Sequence, residues 1–210
     1  MHLTKEQIQE TARIKRLNLI NSITGVKPAN LIASISKDGD SNLAIFSSLV
    51  HLGSNPALLG FVLRPQHEVR RDTYDNILAT GYYTINHIHP DFIANAHYTS
   101  AKFSKQDSEF EKCKLTEEYL YDFSVPFVKE SRVKIGMKLE DMLPIKMNKC
   151  VMVIGSIQPL WIDDVAVEED GQVNLELLND VGIGGLNSYY KLERIGQFPY
   201  ARVNELPDFK

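Results

Sequence analysis

The sequence predicts a mainly β protein, an antiparallel barrel with short flanking helices and one longer helix at the N-terminus. Several apolar segments have the length and the β-branched and aromatic content of strands. Asp38-Gly39 is a tight-turn signal between two of them. The helical patterns are short and do not alternate regularly with the strands, which disfavours a parallel sheet built from β-α units.

The N-terminal residues 4–22 predict a helix. Thr4 and Gln7 have the spacing of a capping box, in which each side chain bonds the backbone of the other residue. A broken apolar stripe follows at helical spacing. Gly25 and Pro28 then end the helix, because neither residue favours its continuation.

The first half of the chain predicts four strands, at residues 30–36, 41–48, 57–64 and 82–88. Residues 73–80 predict a short helix between the last two strands. Asp72 is the expected N-cap of this helix, and Gly81 its C-terminal stop.

The second half is less regular. We expect a short helix after Pro90, a polar loop at 104–108 and strands at 132–140 and 149–162, the second disturbed by Pro159. From residue 163 the pattern is mixed, with an acidic turn at 168–171, a short apolar strand and a glycine-rich segment at 182–185. The 210 residues are interpreted as one domain, with an N-terminal helix at 4–22, a barrel core at about 25–157 and a C-terminal extension at 163–210.

Composition limits the function. The chain carries 23 basic and 27 acidic residues, a net charge of -4, which argues against a nucleic-acid-binding surface. No apolar run is long enough for a membrane span. The first residues lack the apolar core of a signal peptide, so a cytoplasmic protein is expected. Cys113 and Cys150 lie far apart and are interpreted as reduced thiols.

Two neighbouring segments carry most of the functional signal. Residues 42–48 place Asn42 and the Ser47-Ser48 pair on an apolar strand, and Arg70, Arg71 and Thr73 precede or begin a predicted helix. Helix N-terminal amides, arginines and hydroxyls are suitable donors to a phosphate. Each segment also has an ordinary structural interpretation. The arginines can be solvated at a capped helix, and the serines can bond nearby backbone.

The order of several motifs resembles the flavin reductase-like family, whose members form an FMN-binding split barrel. The matching segments are Asn42-Leu43-Ala44-x-Phe46-Ser47-Ser48, Gly53-Ser54-Asn55-Pro56-x-Leu58-Leu59-Gly60-Phe61, Arg71-Asp72-Thr73-x-x-Asn76-Ile77, Gly81-Tyr82-Tyr83-Thr84-Ile85-Asn86, Ala96-His97-Tyr98-Thr99-Ser100-Ala101-x-Phe103 and Ser108-Glu109-Phe110-Glu111. The resemblance covers about residues 25–157, with a weaker echo at 185–190.

This resemblance implies that FMN lies along the strand at 42–48. Ser47, Ser48, Arg71 and Thr73 would hold the phosphate, and residues 97–103 would close over the ring, from the same chain or from the partner chain of a homodimer. The implied cofactor-binding residues are Asn42, Leu43, Ala44, Ile45, Phe46, Ser47, Ser48, Arg71, Asp72, Thr73, His97, Tyr98, Ser100 and Phe103.

The resemblance also implies a flavin-dependent oxidoreductase. Electrons would pass from NADH, NADPH or another donor through the flavin to free flavin or a small acceptor. The chemistry would belong to the flavin, so no catalytic side chain is required. Two alternatives remain, an FMN-carrying electron-transfer protein without nicotinamide activity, and a split barrel that has lost flavin. The role of His97 is open between the ring or substrate and a loop position.

Other signals are weaker. Gly182-x-Gly184-x-x-Asn187 lacks the third glycine of a dinucleotide fingerprint and is interpreted as a turn. The His87-x-His89 pair is interpreted as exposed strand-end histidines rather than a metal site, since no third ligand has a recognisable spacing. Four aromatic residues could pack on the flavin ring, although core packing is the commoner role. They are Phe46, Phe61, Tyr98 and Phe103.

Overall fold

The computed structural model describes residues 1–65, 72–104 and 107–209. Its strands are β1 (Lys27–Pro28), β2 (Asn30–Ile35), β3 (Ser41–Phe46), β4 (Val50–Ser54), β5 (Ala57–Leu63), β6 (Tyr82–His87), β7 (Glu117–Glu118), β8 (Phe127–Val128), β9 (Val133–Ile145), β10 (Cys150–Ile162), β11 (Val181–Gly184) and β12 (Ser188–Lys191). Its α-helices are α1 (Lys5–Glu10), α2 (Arg13–Ser22), α3 (Asp72–Thr80), α4 (Ile93–Tyr98) and α5 (Glu109–Lys112).

Seven strands form one antiparallel sheet in the order β3-β2-β6-β9-β10-β5-β4. The register between β9 and β10 shifts at Ile154/Gly155 and again between Ile157 and Leu160, where Pro159 lies. Such irregularities bend a strand and increase its twist. The predicted mainly β, antiparallel split barrel is confirmed.

Two hydrophobic clusters lie on opposite faces of the sheet. Neighbouring residues of a strand point to opposite faces, so Leu31 belongs to one cluster and Ile32 to the other. The first cluster packs against α4 and α5, and the second contains Phe61, Tyr83 and Ile77 of α3. Helices therefore cover both faces of the β2–β3 end of the sheet.

The N-terminal helix predicted at 4–22 is two helices, α1 and α2. The capping box is present, with the Thr4 backbone N–H donating to Gln7 Oε1 at 2.8 Å and the Gln7 N–H to Thr4 Oγ1 at 3.3 Å. The break comes at Thr11, whose backbone is extended and whose hydroxyl donates to the Gln7 carbonyl at 2.7 Å. Threonine hydroxyls compete with the helix ladder in this way. Neither helix buries a residue against its own chain.

Other predicted elements shift at their ends or change type. The strand predicted at 41–48 ends at Phe46, and β4 was not predicted. Asp72 is the first residue of α3 rather than its N-cap. Gly182 and Gly184 lie in β11, and the turn begins at Gly185, which has a φ of 63°.

The sequence predicted that His87 and His89 are exposed, and this is wrong: His87 is half-buried and His89 is buried. His87 Nδ1 lies 2.5 Å from Asp180 Oδ2, and the His89 side chain is only 8% exposed. Within the described residues, no group of three or more potential ligands is arranged for a metal ion. None of the described helices has the length and apolar character needed to cross a membrane.

Candidate functional site

Strand β3 has one backbone edge without a strand partner. It pairs with β2, and among the described residues no other strand joins it. The Leu43 N–H points away from β2, because it donates to the Glu109 carboxylate at 3.2 Å. Backbone groups alternate in direction along an antiparallel strand, so the N–H and C=O of Ile45 also point outward. This open edge offers hydrogen bonds to a ligand.

The open edge of β3 lies between two sets of helices. Leu43 and Ile45 belong to the cluster that contains Ala96 of α4 and the half-buried Phe103. Asn42 points to the opposite face, where it meets Thr73 of α3. A ligand on this edge would therefore have the start of α3 on one side and the segment after α4 on the other. The structure thus brings Asn42 and Thr73 together and places Leu43, Ile45 and Phe103 in one hydrophobic cluster.

The Thr73 hydroxyl is held by a buried hydrogen bond. Asn42 Nδ2 donates to Thr73 Oγ1 at 2.9 Å, and both residues are buried. Beside them Asn76 Nδ2 donates to the Ser34 hydroxyl at 3.2 Å. Because an amide nitrogen can only donate, Thr73 is the acceptor and keeps its own proton for another partner. Thr73 is thus prepared to donate a hydrogen bond at the first turn of α3.

Glu109 of α5 is a site residue that the sequence analysis did not assign. Its carboxylate accepts from the Leu43 N–H. Burial raises the pKa of the Glu109 carboxyl, and the charges of Asp72 and Asp107 raise it further, while the Leu43 bond opposes the shift. The outward N–H of Leu43 is therefore already occupied by a side chain of the protein. Glu109 lies within a matched motif, but only the fold shows that it reaches a strand 66 residues away.

Ser47 and Ser48 follow the end of β3 and do not meet Thr73. The Ser48 hydroxyl donates to the Val62 carbonyl at 3.2 Å and accepts from the Val62 N–H at 3.0 Å, so it ties this segment to β5. Asn42 and Phe46 are four residues apart along the strand, roughly 13 Å at the rise of a β-strand. The serines therefore lie beyond the far end of the open edge from Thr73.

Ser47 and the backbone after it have hydrogen-bonding groups that no partner among the described residues uses. Among the described residues, no hydrogen bond uses the Ser47 hydroxyl or the backbone N–H of Ser47, Ser48 or Leu49. Three successive unpaired N–H groups at the end of an open edge are candidate donors to a polar ligand edge.

His97 is held at the end of α4. Its Nδ1 lies 3.0 Å from the hydroxyl of Tyr189 on β12, and the two rings pack edge to face with centroids 5.9 Å apart. Burial raises the pKa of Tyr189 to about 12, so its hydroxyl stays protonated and can donate to Nδ1. If Tyr189 donates, the imidazole proton lies on Nε2, which can then donate to a ligand.

The remaining predicted residues differ in their surroundings. Phe46 packs into the core against Phe61, with centroids 5.1 Å apart, and Ala44 lies on the same face of β3. Tyr98 is 65% exposed, and the Ser100 hydroxyl donates to the carbonyl of His97 at 2.7 Å. Arg71 lies outside the described residues.

A cleft of about 830 Å³ lies beside α5. Its lining includes four acidic residues, Asp40, Asp107, Glu111 and Glu117. Glu117 accepts a hydrogen bond from the Ser41 hydroxyl at 2.5 Å. This acidic lining disfavours a phosphate, so the cleft is not assigned to the anionic part of a ligand.

These features agree with the family to which the chain is related. The model of the flavin reductase like domain matches residues 26–179. The chain belongs to the flavin reductase-like family, a family of flavin-related oxidoreductases. An uncharacterised protein of Aquifex aeolicus is 26% identical over 185 residues, covering 88% of this chain and 93% of that protein. The uncharacterised protein YwrF of Bacillus subtilis is 24% identical over 171 residues, covering 79% and 83%.

Solved structures share the architecture. A Shewanella frigidimarina protein assigned to the flavin reductases, with a split barrel domain, is 44% identical and superposes with a TM-score of 0.92, covering 96% of this chain and all of that chain. Component B of nitrilotriacetate monooxygenase from Bacillus cereus is 22% identical with a TM-score of 0.82, covering 94% and 98%. Flavoredoxin of Desulfovibrio vulgaris is 19% identical with a TM-score of 0.73, covering 84% and 92%. The last two show the shared fold.

Proposed function

We propose that the protein holds FMN along the open edge of β3 and acts as a flavin-dependent oxidoreductase. It would pass electrons from NADH, NADPH or another donor to free flavin or a small acceptor. The observation that carries this proposal is the open edge of β3. One end lies beside the Thr73 hydroxyl, which is held by Asn42, and the other leads to three backbone N–H groups with no partner among the described residues. The family assignment supports flavin as the ligand.

The phosphate is assigned to the start of α3. The Thr73 hydroxyl would donate to it, Arg71 would supply charge, and the N-terminus of a nine-residue helix favours an anion. Ser47 and Ser48, which the sequence placed with this group, are too far along the strand to share a compact phosphate with Thr73. We therefore assign them to the polar edge of the ring.

The flat ring is assigned to the segment from Ile45 to Ser48. The Ile45 backbone and the unpaired N–H groups after β3 would bond the ring edge, and residues 97–103 would lie against its face. Phe46 packs against Phe61 in the core, which favours a structural role for its side chain. His97 Nε2, held by Tyr189, would donate to the ring or to a bound acceptor.

When bound, FMN supplies the hydride-accepting chemistry. The chain's own residues then have binding and orienting tasks. Thr73 is fixed by Asn42, and His97 is fixed by Tyr189, so both donors are in place before the ligand arrives. Pre-positioned donors lose little freedom on binding, which favours affinity.

We further propose that the protein is a homodimer with the flavin near the subunit interface, as the family resemblance implies. Both cysteines are free thiols, Cys113 buried and Cys150 half-buried. Free thiols fit the cytoplasm, where they stay reduced, and we propose that location.

The first experiment is an absorption spectrum of the purified protein, followed by reconstitution with FMN and an aerobic assay with NADH and NADPH. Flavin absorption with nicotinamide oxidation is expected. Bound flavin without oxidation of either nicotinamide would favour an electron-transfer protein. A colourless protein that FMN cannot reconstitute would refute both.

Arg71→Ala tests the phosphate assignment. Removing a charge-assisted hydrogen bond should weaken FMN binding by roughly 1.5–3 kcal/mol. Riboflavin, which lacks the phosphate, should bind the variant and the parent protein equally. Equal weakening of both flavins would place Arg71 at the ring instead.

A further inference from the structure

The two ends of the chain expose apolar side chains that the other described residues do not cover. Residues 193–209, here called the C-terminal arm, are exposed throughout and contain a single short helical turn at Val203–Glu205. Six large apolar residues of the arm are 64–98% exposed, and they recur every two or three positions. They are Ile195, Phe198, Tyr200, Val203, Leu206 and Phe209.

Helix α2 has the same property. None of its ten residues is buried; Leu19 is half-buried, and the other apolar side chains, with Ile23 at its end, are 36–68% exposed. These are Ile14, Leu17, Ile20 and Ile23. An isolated helix of this length is marginal in water, and helices in proteins gain most of their stability from packing an apolar face. Within the described part of the chain, Leu19 is the only half-buried apolar residue of α2, so the helix gains little such packing.

The arm and α2 start from the same small sheet. Strands β1, β11 and β12 form this sheet, and α2 leads into β1 while β12 leads into the arm. Val26, which follows α2, packs directly against Gly182 and occupies the space that a Cβ would need there. The same Cβ position lies 3.4 Å from Leu192, the residue before the arm. Lys27 Nζ, on β1, donates to the Gly185 carbonyl at 3.3 Å. The bases of the two uncovered elements therefore lie close together on this sheet.

We infer that the C-terminal arm packs over helix α2 of a second copy of this chain, reciprocally in a two-fold dimer. The inference rests on the proposed homodimer but not on flavin binding. A symmetric exchange covers both apolar elements of both copies and leaves neither exposed. A different protein as partner would have to supply a matching pair of surfaces of its own.

The area and the charge of the arm agree with this partner. An aromatic side chain buries roughly 150–250 Å², so the three aromatic residues of the arm alone approach the roughly 800 Å² per partner of a stable interface. The arm carries both signs of charge, and Arg202 pairs with Glu205 at 3.1 Å within it. This mixed charge does not favour an anionic surface such as nucleic acid or lipid. The match with the Shewanella structure covers 96% of this chain and so includes part of the arm.

The partner would also lie close to the candidate site. Strand β12 carries Tyr189, whose hydroxyl meets His97 beside the open edge of β3. A second chain docked on the β1–β11–β12 sheet would therefore lie near Tyr98, which is 65% exposed in a single chain. The inferred interface would add protein surface next to the flavin.

The first test is the mass in solution, measured by light scattering without flavin. The full chain is expected at twice 23.8 kDa. Replacing both Phe198 and Tyr200 by serine should raise the concentration at which the dimer dissociates at least tenfold. Met147→Ser is the control, because Met147 is 89% exposed but lies in the turn after β9, and it should leave the mass unchanged.

The second test identifies the contact itself. In a Cys150→Ser background, chains with Ile20→Cys are mixed with chains with Phe198→Cys and oxidised mildly. A disulfide between the two kinds of chain is expected, and much less between chains of one kind. A monomeric full chain would overturn the inference. So would a dimer that forms no such cross-link and dissociates at the same concentration with and without the two serine substitutions. Because neither readout uses flavin, failure here is distinguishable from failure of the proposed function.

Discussion

Thr73→Val tests the assignment of the phosphate most directly. Valine has the shape of threonine but lacks the hydroxyl, so the substitution removes one donor with little change in volume. If that hydroxyl donates to the FMN phosphate, its loss should cost about 1.5–3 kcal/mol of binding free energy. At about 1.4 kcal/mol per tenfold, the dissociation constant would rise roughly 10- to 150-fold.

The same substitution has a second effect on the protein without ligand. Asn42 Nδ2 donates to Thr73 Oγ1 in a buried position, and valine would leave this amide without its acceptor. A buried unsatisfied donor costs about 1–3 kcal/mol of stability. Thr73→Ser keeps the hydroxyl, so it should retain both the stability and most of the affinity.

The two effects are separated by the choice of ligand. Fluorescence titrations with FMN and with riboflavin, below the unfolding temperature of both Thr73 variants, should show a large loss for FMN and none for riboflavin. Urea unfolding measures the stability effect independently. If the valine variant binds FMN within about twofold of the parent protein, the phosphate does not lie at Thr73 and the orientation along β3 must be reversed.

Three further predictions follow from buried groups. An added Cβ in Gly155→Ala would lie 2.3 Å from the Tyr83 hydroxyl, so urea unfolding should show a loss of about 1–3 kcal/mol. That loss should be smaller in a Tyr83→Phe background, and equal losses would mean that the hydroxyl does not limit the packing. The pKa of Glu109 is higher in the folded protein than its ordinary value of 4.5. Its contribution to the free energy of unfolding is therefore full below pH 4.5 and is lost as the pH rises through the pKa of the folded state. Glu109→Gln should therefore lose less stability between pH 4 and 7 than the parent protein, and parallel unfolding profiles would contradict this. Tyr189→Phe should remove the preference of His97 for the Nε2–H tautomer, as measured by nitrogen NMR, and should lower the free energy of unfolding by about 1 kcal/mol. An unchanged tautomer would show that Tyr189 does not set it.

Features that depend on neighbours in the sequence were predicted well. The capping box at Thr4 and Gln7, the stop of α3 at Gly81 and the irregularity at Pro159 all involve groups a few residues apart. The physical cause in each case is local backbone geometry. A local signal also failed at Thr11, where a residue compatible with a helix interrupts it and its hydroxyl donates to the Gln7 carbonyl.

Features that depend on distant partners could not be predicted. The Ser48 hydroxyl looked available for a phosphate until the fold placed it on the backbone of Val62. His87 looked exposed because its partner, Asp180, lies 93 residues away. Strand β4 is largely exposed and has little apolar alternation, so its extended conformation depends on pairing with β5.

The open edge of β3 illustrates why such long-range contacts decide function. An exposed strand edge invites pairing with another chain, and proteins usually cover or charge it. Here α5 covers the first part, because the Glu109 carboxylate takes the N–H of Leu43. About four residues remain, from Ile45 to Ser48, roughly 13 Å of backbone. This length is short for a stable added strand but sufficient for the edge of a flat ring. The carboxylate therefore limits what the edge can bind, and this limit favours a small planar ligand over a peptide.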